Sequence, residues 1–226
     1  MITTNRSTNA QPFLGAGITA GVLVPLIVLI DGATRTGYSL WRNGVSQLGT
    51  GDRAWPFTTT FVVGGLLLGL FAVGLRRTLR NGPAAVWGPI MITVAAIGLI
   101  VGGLVPTDPA LDYPPGARSA AVSTAGAVHQ VAGLMIFAGL ASAAFILTRR
   151  LRRDRPGWAN YSLITGILII VLAFAAGIAY RLDTLGLWRP APAGLLEQLS
   201  LLLGYCWAVA VAVHYLRGGA KIATGR

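Results

Sequence analysis

Cysteine is nearly absent from this chain, and so is most of the equipment of soluble catalysis. The single Cys206 has no partner for a disulfide, and one thiol does not make a thiolate metal site. Its expected role is that of a small apolar core residue. Histidine is almost as rare. His129 and His214 fall near opposite ends of two apolar runs. At a helical rise of about 1.5 Å per residue most of a bilayer separates them, which excludes a haem held by both. There is no His-Glu-x-x-His zinc helix, no Gly-x-Ser-x-Gly elbow, no Walker-type phosphate loop and no Gly-x-Gly-x-x-Gly dinucleotide turn. Neither a metal nor a cofactor is expected. Only 11% of the 226 residues are charged, whereas 54% are hydrophobic, which is too apolar for a soluble domain.

What the chain has in abundance is long apolar runs. Six of them cover approximately Phe13–Ile30, Phe57–Leu75, Val86–Val105, Gly126–Leu147, Tyr161–Tyr180 and Leu195–Leu216. Each is close to the roughly 20 residues that carry an α-helix across about 30 Å of hydrocarbon. Lipid offers backbone N–H and C=O groups no water, so such spans must be helical. The fold class is therefore all-α, a polytopic membrane protein with a bundle of six transmembrane helices. A cytoplasmic N-terminal tail over 1–12, one transmembrane domain over 13–217 and a cytoplasmic C-terminal tail over 218–226 are expected. The first run is longer than a signal-peptide core and lacks a small-residue cleavage site, so it is expected to be retained.

The net charge of +11 is unevenly spread. One set of alternate segments holds twelve basic residues, among them Arg76, Arg77, Arg80 and the run from Arg149 to Arg155, against the single acid Asp154. The other set holds six basic and six acidic residues. Lys and Arg collect on the cytoplasmic side of short loops. Both termini are accordingly expected in the cytoplasm, with the protein in the plasma (inner) membrane. The basic excess is a topology signal rather than a nucleic-acid footprint. Membrane lipids are the expected partners, with the Arg149–Arg155 run meeting anionic headgroups. Assembly into a homo- or hetero-oligomer within the membrane is left open.

Polar residues are concentrated at the outer helix ends. In the loop before the second span, Leu40, Trp41, Gly44, Val45 and Leu48 make one apolar stripe at helical spacing. A short amphipathic helix over Ser39–Leu48 is expected there, at the outer interface. His129, Asp108, Glu197, Asn43 and Ser46 all fall at about the same depth. Ionisable groups in membrane helices avoid lipid and turn inward. These five residues are the candidate binding site, an outward-facing polar pocket, and no catalytic residue is assigned. The glycines Gly64, Gly65 and Gly69, and Gly98, Gly102 and Gly103, fall at small-residue spacing suited to close helix packing.

Several ordered motifs also carry a family resemblance. They are Asn43-Gly44-Val45-Ser46-Gln47-Leu48-Gly49 before the second span, Gly74-Leu75-Arg76-Arg77 at its inner end, Val105-Pro106-Thr107-Asp108-Pro109 after the third, Val128-His129 opening the fourth, and Gly194-Leu195-Leu196-Glu197-Gln198-Leu199 opening the sixth. In this order the chain resembles the bacterial membrane family catalogued as domain of unknown function 998, over about residues 15–217. The resemblance implies a six-helix bacterial integral membrane protein and assigns no activity. The expected function is that of a non-catalytic, lipid-associated or accessory envelope protein. The alternatives are a small transporter or channel, which needs polar groups through the bundle midplane, and a membrane enzyme acting on a lipid or envelope precursor through His129 with Glu197 or Asp108.

Overall fold

In the computed structural model, which describes residues 10–79, 81–117, 122–154 and 156–223, six helices account for most of the chain. They are α1 (Gln11–Ala33), α2 (Trp55–Thr78), α3 (Ala84–Leu104), α4 (Thr124–Asp154), α5 (Pro156–Thr184) and α6 (Ala193–Ala223). All six are long and apolar enough to cross a membrane. No strand occurs among the described residues. Arg6, Arg80, Arg118, Arg155 and Arg226 of the charge tally, and residues 1–9 of the expected N-terminal tail, lie outside the described residues. Helix α6 runs on to Ala223, well into the segment expected as a tail.

Each helix packs against the next in chain order, and α6 returns to pack against α1, so the bundle closes into a ring. The interior is apolar and tight. Leu68, Phe71, Ile92, Leu99, Leu140, Leu147, Tyr205 and Trp207 are fully buried. Several polar groups inside are bonded locally, whereas the buried Tyr205 hydroxyl has no hydrogen-bond partner among the described residues. Trp207 Nε1 donates to Ser162 Oγ at 2.8 Å, and that hydroxyl donates to the Ala144 carbonyl at 2.8 Å. Ser200 donates to the Ile169 carbonyl at 2.9 Å. In hydrocarbon an unpaired polar group costs several kcal/mol, and these bonds remove that cost.

The outer surface of the ring is the reverse of a soluble protein's. Leu26 and Leu29 on α1, Leu66 and Leu70 on α2, Val131 and Leu134 on α4, and Ile164, Val171, Phe174 and Ile178 on α5 are all exposed. So wide an apolar surface suits lipid and not water. Exposed tryptophans mark both ends, with Trp41, Trp55 and Trp188 at one and Trp87 at the other, as the interfacial preference of indole predicts. Cys206 also faces outward on α6. That differs from its expected place in the core, because the inward positions beside it belong to the larger Tyr205 and Trp207.

Glycines set the spacing of α2, α3 and α4. A Cβ on Gly65 would lie 2.7 Å from the Ala96 carbonyl, and one on Gly98 would lie 2.6 Å from the Ala132 carbonyl. Backbone, unlike a side-chain tip, cannot swing away. Gly133, one residue along α4 from Ala132, has nothing within 4 Å of the same position. Gly98→Ala is therefore expected to destabilise the protein by about 1–3 kcal/mol, the usual penalty of an overfilled interface. Gly133→Ala should be neutral or slightly stabilising through helix propensity. Thermal unfolding of the two variants in one detergent checks this, and equal effects would contradict the packing argument.

Candidate functional site

The loop from α1 to α2 is long and polar, and three arginines fix it. Arg35, one turn beyond Asp31, meets that carboxylate with two bonds, Nε to Oδ1 at 3.1 Å and Nη2 to Oδ2 at 2.8 Å. Both side chains are buried. The same guanidinium donates to Tyr113 Oη at 3.2 Å and to the Arg53 carbonyl. Burial pulls its pKa down, but the bonds to Asp31 and Tyr113 outweigh that and leave it raised. Arg53 closes the far end of the loop on Asp31 at 3.1 Å.

Arg42 reaches across the bundle. Its Nε and Nη2 hold the two oxygens of Asp183 at 2.8 and 2.6 Å, the paired geometry in which arginine binds a carboxylate best. Asp183, at the end of α5, is 1% exposed and also accepts the Ala191 N–H at 2.9 Å. The remaining face of Arg42 binds Asp112 at 2.8 Å, and Arg189 pairs with the same carboxylate. The bonds to Asp183, helped by Asp112, hold the Arg42 guanidinium above its ordinary value against the pull of burial. Asp112 is held below the usual carboxylate range by Arg42 first and Arg189 second. Leu111 and Asp112 both adopt left-handed backbone, with φ of 53° and 61°. That conformation is costly for leucine, and the turn it forms offers the Leu111 carbonyl to Asn43 Nδ2 at 3.1 Å.

The segment between these anchors docks on α6. The Leu195 N–H donates to the Trp41 carbonyl at 3.1 Å, and Gln198 Nε2 donates to the Leu40 carbonyl at 2.7 Å. In return Glu197 accepts the backbone N–H groups of Val45 and Ser46. Those donors open a 3₁₀ helix, Val45–Gly49, and the first N–H groups of a helix have no partner of their own. A carboxylate at that end satisfies them and meets the positive end of the helix dipole. Gly44 is required by the close approach, since a Cβ there would stand 2.5 Å from Glu197 Oε2. The expected outer-loop helix is thus present as Val45–Gly49, tighter and shorter than the stripe over Ser39–Leu48 implied, with turns before it. Val45 and Leu48 are its buried contacts, while Trp41 is exposed.

The five residues of the candidate site occupy two neighbouring places. Glu197, Asn43 and Ser46 belong to the docked loop. Asn43 spends its side chain on Leu111 and on the Ser39 N–H, which it accepts at 2.8 Å. Asp108 and His129 belong to the junction of α3 and α4. Asp108 accepts the Ser123 N–H at 3.0 Å, and Ser123 in turn caps the start of α4 by accepting the Gly126 N–H at 2.9 Å. Bonds from Ser123 lower the pKa of Asp108. His129 is buried, with Nδ1 2.6 Å from the Val105 carbonyl. Gln47 links the two places, donating to the Asp108 carbonyl at 3.1 Å and accepting the Ala110 N–H at 3.2 Å.

Beside Glu197 lies a cavity of about 210 Å³ lined by Gly44, Ala193, Glu197 and Tyr180 toward the loops and by Phe137, Ala173, Ala176 and Gly177 further in. It sits between α4, α5 and α6. Asn43, Ser46, Asp108 and His129 do not line it. Tyr38 stands behind the loop, donating to the carbonyls of Asn43 and Gly44 at 3.0 and 3.1 Å. Burial, reinforced by the Glu197 charge, pushes its phenol well above its ordinary value. No group of three or more His, Cys, Asp or Glu side chains placed to hold a metal occurs among the described residues.

Residues 18–214 match the model of a family described as a protein of unknown function, DUF998. The chain belongs to that family. No curated protein and no solved structure matches it. Membership fixes no activity, and the six-span architecture is what the chain and the family description leave to build on.

The arginines were the groups hardest to find from the chain alone. Asp31, Arg35, Arg42 and Asp183 form the most buried ion pairs among the described residues, yet none stands in the five-residue set. The signal was the balance of six basic and six acidic residues in the outer segments, which is what mutual pairing leaves. Arg42→Ala should strand the buried Asp183 carboxylate and cost about 3–5 kcal/mol. Arg189→Ala, at a surface pair, should cost at most about 1 kcal/mol. Unfolding midpoints in one detergent distinguish the two, and equal losses would show that Arg42 is no more than a surface contact.

Proposed function

We propose that this protein is a non-catalytic, lipid-associated accessory protein of the bacterial plasma membrane, with both termini cytoplasmic, and that its outward cavity takes the polar part of a lipid. One observation carries the reading. Glu197, the one carboxylate lining the cavity, is at its loop-facing end, and the walls turn apolar toward the membrane interior. That gradient matches a lipid, whose headgroup and first chain carbons would lie along it. A space of about 210 Å³ suits a headgroup-sized moiety, since sites for drug-sized ligands begin at about 300 Å³. A carboxylate with donors on one side favours an ammonium or hydroxyl on the other. The outer loops are tied to one another and to α6 by ion pairs and backbone bonds, which supports a fixed cap over the bundle more than a gate. His129, held by a backbone carbonyl, has a structural partner and needs no catalytic role to explain its burial.

Native mass spectrometry of the purified protein equilibrated with phosphatidylethanolamine and phosphatidylcholine tests the lipid reading. The parent should retain phosphatidylethanolamine in preference, and Glu197→Gln should reduce that preference about tenfold, the value of one charge-assisted bond. Ala173→Trp, which fills the apolar end, should abolish retention. Retention unchanged in both variants would overturn the proposal.

The orientation follows the charge asymmetry of the loops. Reporter fusions after Asn81 and after Asp154 should read cytoplasmic, and one after Asp112 should read external. A cytoplasmic signal at Asp112 would reverse the topology.

A further inference from the structure

A larger cavity than the one at Glu197 lies at the opposite end of the bundle, away from Glu197 and its loop. It measures about 560 Å³ and opens between the start of α3 and the end of α4. Its walls divide by chemistry. Pro83, Ala84, Trp87, Phe145 and Ile146 make an apolar floor, and Arg149, Arg150 and Arg153 stand along one edge. Among the described residues no acid lines it. The Nε of Arg150 is buried and has no hydrogen-bond partner among the described residues, an unusual state for a guanidinium. Arg149 and Arg153 are exposed. The start of α3, a helix of 21 residues, adds the positive end of its dipole on the facing wall. Trp87, exposed, stands where indole marks the membrane boundary.

We propose that this groove is a binding site for one anionic phospholipid of the leaflet on the side of the chain termini, its phosphodiester held by Arg149, Arg150 and Arg153 and its upper acyl chain lying on Trp87 and Phe145. The occupant follows from charge and shape together. Three guanidiniums with no ion pair to any described side chain call for an anion, and the apolar floor beside them calls for hydrocarbon joined to it. A soluble phosphate supplies the first and leaves the second bare. Arginine at a helix C-terminus also complements the dipole of its own helix, but that explains neither a cavity nor an unpartnered buried Nε. This site shares no residue with the cavity at Glu197 and stands or falls independently of it.

The test uses the full-length protein in mixed detergent micelles, with phosphatidylglycerol and phosphatidylcholine competing and native mass spectrometry as the readout. The parent should retain phosphatidylglycerol over phosphatidylcholine, and the triple variant Arg149→Gln, Arg150→Gln, Arg153→Gln should lose about 100-fold of that preference, three contacts of about fivefold each. Removing the same charge outside the groove, with Arg76→Gln, Arg152→Gln and Arg217→Gln at exposed positions, should leave it unchanged. An equal loss in that control would mean a diffuse charge effect and would overturn the site. Added inorganic phosphate or glycerophosphoglycerol at millimolar concentration should not displace the lipid, whereas displacement would identify a free-anion site and overturn the lipid assignment. If the triple variant fails to fold, a phosphatidylglycerol carrying a photoreactive acyl chain decides on the parent alone. Crosslinks should map to Pro83–Trp87 and Phe145–Arg153, and labelling spread evenly over the helices would contradict the proposal.

Discussion

A guanidinium that reaches from the α1–α2 loop to a buried carboxylate at the end of α5 organises the end of the bundle opposite the chain termini. Arg42 binds both oxygens of Asp183 and leaves its third face for Asp112. Taking such a pair out of water is costly, and the cost is offset only when every remaining lone pair is bonded. Here the Ala191 N–H completes Asp183. With Arg42 fixed, the carbonyls of Leu40 and Trp41 face the first turn of α6, and the N–H groups of Val45 and Ser46 face Glu197. The position of Glu197 beside its cavity is thus a consequence of an ion pair made elsewhere.

Hydrophobic periodicity and length made the six spans legible, because lipid leaves a polypeptide few alternatives. Gly65, Gly98 and their neighbours were also readable, since small residues at four-residue spacing have one main use in a membrane helix. Less was legible where the backbone departs from regular structure. The stripe through Leu40, Val45 and Leu48 implied ten residues of helix, but Asn43 and Gly44 are committed to tertiary contacts, and only Val45–Gly49 turns helically. Common depth along the helices drew Asp108, His129 and Glu197 together. Depth says nothing of azimuth around a ring of six helices, and Asp108 and His129 stand at the junction of α3 and α4 while Glu197 faces α4 and α5 from α6. Pairings such as Arg42 with Asp183 join residues 141 apart in sequence, and no local pattern announces them.

The two ends of the bundle are built differently. At the end opposite the chain termini opposite charges neutralise one another and tie three loops into a cap. At the other end arginines outnumber acids, and among the described residues the buried Arg150 Nε has no hydrogen-bond partner beside an apolar groove. The first arrangement positions a small polar cavity, whereas the second leaves positive charge available at the membrane surface. This contrast in charge between the two ends underlies the two lipid-binding proposals.

The coupling between Arg42 and Asp183 tests this account most directly. A double-mutant cycle of Arg42→Ala and Asp183→Asn, read by unfolding in a single detergent, isolates their interaction from the rest of the loop. The account predicts that the double variant is at least about 2 kcal/mol more stable than the sum of the single losses implies, because each single variant strands a buried group that the other removes. Additivity within about 0.5 kcal/mol would show that the pair does not hold the outer end together.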